Sequence, residues 1–195
     1  MKCAGIARGE STQRPTRAAT VEEIAIQGGR QRCMRIDHEL YRLAVALGRA
    51  ALARRVRIAT AESCTGGLVA GAITAVAGSS DWFDSGFVTY SNEAKIAQLA
   101  VPPRTIEQFG AVSEETALSM AEGALRASRA QWTVAVTGIA GPAGGTPDKP
   151  VGTVCFAWVG PGASGAYRTS LDGDRASIRR ESVRIALQGL VDRLA

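Results

Sequence analysis

The chain has 195 residues, 46% of them hydrophobic and 21% charged, a length that supports one well-buried core and is short for two. Its formal charge is +5, but residues 1–36 carry seven basic and three acidic side chains and so hold +4 of it. A nearly neutral body argues against a nucleic-acid-binding face within the fold, because such a face must neutralise several phosphates at once. Only the basic tail is left for that role.

Composition also restricts the chemistry. The one histidine, His38, cannot supply both a triad base and metal ligands, and Cys3, Cys33, Cys64 and Cys155 form no CxxC pair. No metal is therefore expected. There is neither an apolar run of membrane length nor a signal sequence, so the chain is expected in the cytoplasm, without membrane contact, its thiols reduced and unpaired.

In chain order, residues 1–35 show no sustained apolar period and read as a flexible basic extension. From Asp37 the pattern changes. Leu40, Leu43, Ala44, Leu47, Ala50 and Ala51 recur at three- and four-residue steps, which predicts an amphipathic helix ending near Arg54. A strand over 56–60 runs into AESCTGG and a helix over about 66–77. A second strand is read at 87–89 and a helix at 92–100, which Pro102 and Pro103 cannot continue.

Ser113 is the expected cap of a helix over 114–128, whose Glu114 and Glu115 suit the positive end of the helix dipole. Strands then follow at 132–137, 152–158 and 167–171, and GDR opens a last helix reaching about Leu190. Strands alternating with helices predict a single α/β domain over 36–195, its sheet covered on both faces.

In such a sheet, sites form where strand ends meet helix starts, which selects AESCTGG, TYSNEAK, TGIAGPAGG and DGDR. These loops offer Ser63, Cys64 and Thr65 as nucleophile candidates, Tyr90 and Lys95 for proton transfer, and glycine-bordered amides for an oxyanion or phosphate. They contain no histidine, so a hydroxyl nucleophile needs a carboxylate, tyrosine or lysine as its activator. Of the two lysines beyond the tail, Lys95 is better placed than Lys149 in the PDKP turn. Bringing an ordinary lysine to neutrality at physiological pH takes roughly three pKa units, or about 4 kcal/mol, which burial can supply.

The ordered series TAESCTGGLVAGAIT, GSSDWFDSGFVTYSNEAK, GAVSE, TGIAGPAGG, KPVGTV and GDR closely resembles the CinA C-terminal-domain family, also called PncC, the nicotinamide-nucleotide amidohydrolases. The resemblance runs from about residue 37 to the end. It implies a three-layer α/β/α sandwich that hydrolyses the carboxamide of nicotinamide mononucleotide to nicotinate mononucleotide and ammonia, without metal or organic cofactor. It further implies a homodimer, with Ser63 as nucleophile, Lys95 as base and Tyr90 assisting.

The substrate-binding set is read as Cys64, Thr65, Gly66, Gly67, Asn92, Thr137, Gly138 and Arg175. Amides around Cys64 to Gly67 are the expected oxyanion donors. Longer family members carry an N-terminal domain with a separate pyrophosphatase activity, and the tail here is too short to contain one.

Two other readings are set beside this one: a nucleotide-binding module without hydrolytic activity, and a nucleic-acid accessory protein acting through its basic tail. Locally, Cys64 reads as a small buried side chain and His38 as an exposed helix residue. Glu62 reads either as a group orienting a partner or as a surface charge. The arginine pairs at 54–55 and 179–180 read as solvated helix faces.

Overall fold

The computed structural model describes residues 37–195, and the extension read over 1–35 lies outside them. Asp37 accepts from the Glu39 amide and so caps α1 (His38–Arg54). Next come β1 (Ile58–Glu62), α2 (Leu68–Thr74), a single 3-10 turn and β2 (Phe83–Val88). They are followed by α3 (Asn92–Leu99), α4 (Pro103–Phe109), α5 (Glu114–Arg126), β3 (Trp132–Gly138), β4 (Thr153–Gly160), β5 (Ala163–Ser170) and α6 (Arg175–Leu194). No helix of the described residues is long and apolar enough to cross a membrane.

The strands form one mixed sheet in the order β2-β1-β3-β4-β5. β1 pairs in parallel with both β2 and β3, β4 runs antiparallel to β3, and β5 antiparallel to β4. β1, paired on both sides by β2 and β3, is buried along its whole length, as expected of a strand covered on both faces.

Alternation along the strands divides the core in two. Ile58, Val134, Val136, Val154, Phe156 and Trp158 face the layer of α1, α2 and α6. Ala61, Ala135, Cys155 and Ala157 face Ala117, Met120, Ala121 and Ala124 of α5 and Leu99 of α3. The second interface is built mostly from small side chains, so α5 sits close to the sheet. Thr133 Oγ1 reaches the Ala121 carbonyl at 2.9 Å, and a Cβ added at Gly123 would lie 2.1 Å from the Leu99 carbonyl oxygen. The expected single-domain α/β/α sandwich is thus the observed fold.

Several element bounds differ from the sequence reading, each for a physical reason. β2 begins at Phe83 rather than 87, and β5 at Ala163 rather than 167. Asp84-Ser85-Gly86 and Ala163-Ser164-Gly165 have little strand propensity and are extended because β1 and β4 pair with them. α2 starts at Leu68, since residues 63–67 form a turn ahead of it. Pro102 and Pro103 do end α3, but Pro103 also opens α4, where its missing N–H costs nothing.

Chain direction places the site. β1 leads through α2 to one side of the sheet, whereas its neighbour β3 leads to β4 on the other. Their outgoing loops diverge at the carboxyl ends of two adjacent parallel strands and leave a crevice between them. β5 runs parallel to these strands, so its exit and the start of α6 arrive at the same end of the sheet.

Candidate active site

At that end lies a cavity of about 210 Å³ bordered by Ser63, Cys64, Tyr90, Asn92, Lys95, Thr137, Gly138 and Arg175, joined by Ala111, Val112 and Ala140. Eight of the eleven residues singled out from sequence therefore border one cavity. Thr65, Gly66 and Gly67 stand behind it in the turn that carries Ser63.

Ser63 continues the β1 ladder, its amide donating to Val136 O at 2.9 Å. Thr89, just past β2, likewise donates to Glu62 O at 2.8 Å. These bonds extend the sheet to the residues that hold the reactive groups, so the site rests on strands rather than on free loops.

Lys95 closes the first turn of α3, which Ser91 caps by accepting from Ala94 N. Its side chain turns inward and is 1% exposed. Lys95 Nζ lies 3.0 Å from Ser63 Oγ, 2.9 Å from Thr89 O, 3.4 Å from Tyr90 O and 3.5 Å from Ser91 O. Burial holds its ammonium form below the ordinary pKa of 10.5, and Lys95 takes part in no ion pair among the described residues.

A neutral amine has two N–H bonds and one lone pair. In that form the three carbonyl oxygens, which can only accept, would share the two N–H bonds, and Ser63 would be the one neighbour able to donate to the lone pair. The arrangement sets the Lys95 amine against the hydroxyl of Ser63.

Glu62 is not a surface charge. Its side chain is 1% exposed and accepts from the amides of Gly67, Val69 and Ala70 at 2.9, 3.0 and 2.8 Å. It is the anion at the positive end of α2. Gly66 N meanwhile donates to Ser63 O at 3.1 Å. The amides of Gly66 and Gly67 are thus engaged, which narrows the expected oxyanion donors to Cys64 and Thr65. Gly67 adopts φ +91 in the same turn, a conformation that favours glycine.

Cys64 is buried, and that burial pushes its thiol pKa up to about 12, so at neutral pH it is a thiol rather than a nucleophilic thiolate. Cys64 and Cys155 are both unpaired. Tyr90 borders the same cavity. Its side chain is 62% exposed, and its hydroxyl accepts from Arg175 Nη2 at 3.1 Å; only its main-chain carbonyl faces Lys95.

Arg175 also donates to Gly141 O at 2.8 Å and so joins two walls of the cavity. Thr137 Oγ1 donates to Ala111 O at 2.7 Å, which fixes a third. Lys149 donates to Phe109 O and His38 is exposed, both outside the cavity. Among the described residues, no group of three or more His, Cys, Asp or Glu side chains is arranged to hold a metal ion.

The arginine pair at 179–180 is not a solvated face. Arg180 pairs with Asp37 and Glu39 and ties α6 to the start of α1. Arg179 donates to Cys64 O at 3.1 Å and Thr65 O at 2.8 Å. Its spacing of four from Arg175 puts both on one helix face, a signal that the sequence did carry.

Comparison with known proteins identifies the family. A family model described as the CinA C-terminal domain matches residues 40–194. The chain is 51% identical over 155 residues to the nicotinamide-nucleotide amidohydrolase PncC of Escherichia coli, covering 79% of this chain and 94% of that one. It is 53% identical over 151 residues to a putative competence-damage inducible protein of Symbiobacterium thermophilum, covering 73% of this chain and 35% of that one. The crystal structure of the competence/damage inducible protein CihA from Agrobacterium tumefaciens superposes with a TM-score of 0.78 at 46% identity, over 80% of this chain and 96% of that one. On the family match, the sequence identity and the structural superposition, the chain belongs to the CinA C-terminal domain family.

Proposed function

We propose that the protein hydrolyses the carboxamide of nicotinamide mononucleotide to nicotinate mononucleotide and ammonia, with Ser63 as nucleophile and Lys95 as base. The reading is carried by the buried amine 3.0 Å from Ser63 Oγ, with carbonyls occupying its remaining directions. The activity for which these relatives are named supplies the substrate class.

In this reading Lys95 takes the Ser63 proton as Oγ attacks the carboxamide carbon. The oxyanion is met by the Cys64 and Thr65 amides. The Lys95 ammonium returns its proton to the departing nitrogen, and ammonia leaves an acyl-serine. Water, deprotonated by Lys95, then cleaves the ester and restores Ser63. No metal or organic cofactor enters these steps. Arg175 and Asn92 at the cavity border are the assigned contacts for the nucleotide's phosphate and ribose. Tyr90, its hydroxyl held by Arg175 at the cavity border, is the assisting residue.

Incubating the purified chain with nicotinamide mononucleotide is expected to release ammonia and nicotinate mononucleotide in equal amounts. Ser63→Ala is expected to bind the nucleotide without releasing ammonia. A wild-type protein that binds but releases none would overturn the reading and leave a binding module. Cys64→Ala is expected to change kcat by less than about tenfold, because losing a true nucleophile costs on the order of 10⁶-fold. Steady-state kinetics separate the two thiol roles.

A further inference from the structure

We propose that Arg179 is a positioning residue that aims and polarises the oxyanion donors, an inference that rests on the serine–lysine amidase reading. α6 starts at the site's end of the sheet, where Asp174 caps it by accepting from Ser177 N. One turn in, Arg179 spans two consecutive carbonyls of the nucleophile turn, Cys64 O and Thr65 O. The planar fork of a guanidinium suits two neighbouring acceptors in a way that a single ammonium does not.

The Cys64–Thr65 peptide is planar, with its C=O and N–H pointing in opposite directions. Holding the Cys64 carbonyl on α6 therefore turns the Thr65 N–H the other way. Neither that amide nor the Cys64 amide donates to another residue among the described residues. A cation on the carbonyl oxygen also draws electron density from the peptide, which strengthens its N–H as a donor.

Two further observations favour this role over general surface charge. On the same helix, Arg180 and Arg184 pair with carboxylates, whereas Arg179 is in no ion pair among the described residues and meets main-chain oxygens instead. The turn is also shaped to receive it: a Cβ added at Gly66 would lie 3.3 Å from Arg179 Nη2, at a φ of +59. Glu62 grips the α2 side of the turn and Arg179 its α6 side.

Donor alignment acts on the developing oxyanion and not on the bound ground state, so the inference separates kcat from KM. Arg179→Met is expected to lower kcat for nicotinamide mononucleotide about thirtyfold, short of the ~100-fold cost of removing a donor outright, with KM and the melting temperature near wild type. Arg179→Lys, which keeps the charge and loses the fork, is expected to fall between Met and wild type.

Unchanged kcat in either folded variant would overturn the proposal, as would a kcat loss matched by a rise in KM. If Arg179→Met does not fold, Arg179→Lys decides by the same criterion. A wild-type protein that releases no ammonia overturns the amidase reading itself, an outcome distinct from variants that match an active wild type.

Discussion

Replacing Lys95 with methionine is expected to lower ammonia release by about 10⁴-fold, the upper range for loss of a positioned general base. Methionine keeps most of the buried apolar stem but removes the group that can take the Ser63 proton. No substitute stands nearby, since the only histidine lies outside the cavity and Glu62 is committed to three amides. Circular dichroism should show the fold retained. A variant that keeps more than about a tenth of wild-type turnover would remove Lys95 from the mechanism.

Acid-base behaviour provides a second readout for the same residue. Because burial lowers the Lys95 pKa from 10.5, wild-type kcat/KM should rise with pH up to the lowered value and then level off. Stability should carry a matching signature. Between the folded pKa and 10.5, the unfolded chain binds the proton that the folded chain has released, so wild-type stability rises with pH across that window. Below the folded pKa both states hold the proton and this slope vanishes. Urea titrations of wild type and Lys95→Met at a series of alkaline pH values should differ by this slope; identical slopes would contradict a depressed lysine.

Glu62→Ala is expected to cause the largest loss of stability, about 3–5 kcal/mol, from two causes acting together. Three amides lose a charged acceptor at 2.8 to 3.0 Å, and a buried volume is emptied where water cannot easily replace it. Glu62→Gln retains the shape but turns an NH₂ toward donors, so its loss should be smaller yet still well above 1 kcal/mol. Equilibrium urea unfolding at pH 7 measures both. A cost for Glu62→Ala below about 1 kcal/mol would mean that the α2 amides find other acceptors.

These expectations show where the sequence was sufficient and where it was not. Ser63 and Lys95 were legible as a pair through the family motifs; the converging loops and the one well-placed lysine pointed to Lys95 but left Ser63, Cys64 and Thr65 open as nucleophiles. α1 and α5 were legible from their apolar stripes and capping residues. Glu62 was not, because a carboxylate between a strand and a helix looks the same whether it faces solvent or folds back onto the helix amides. Arg179 was hidden in a run of basic residues whose individual partners depend on how α6 crosses the sheet. β2 and β5 were shortened for a related reason: their first residues are extended through pairing with a neighbour, a long-range cause that local propensity does not contain.

The alanine-rich seam between α5 and the sheet has a consequence beyond packing. The segment leading into α5 contains Ala111, whose carbonyl is fastened to Thr137 at the border of the cavity. Side chains such as Ala117, Ala121 and Ala135 therefore act as shims. Their thickness sets how far one jaw of the crevice stands from the other, and the clearance offered to a guest molecule is gauged by residues it never meets.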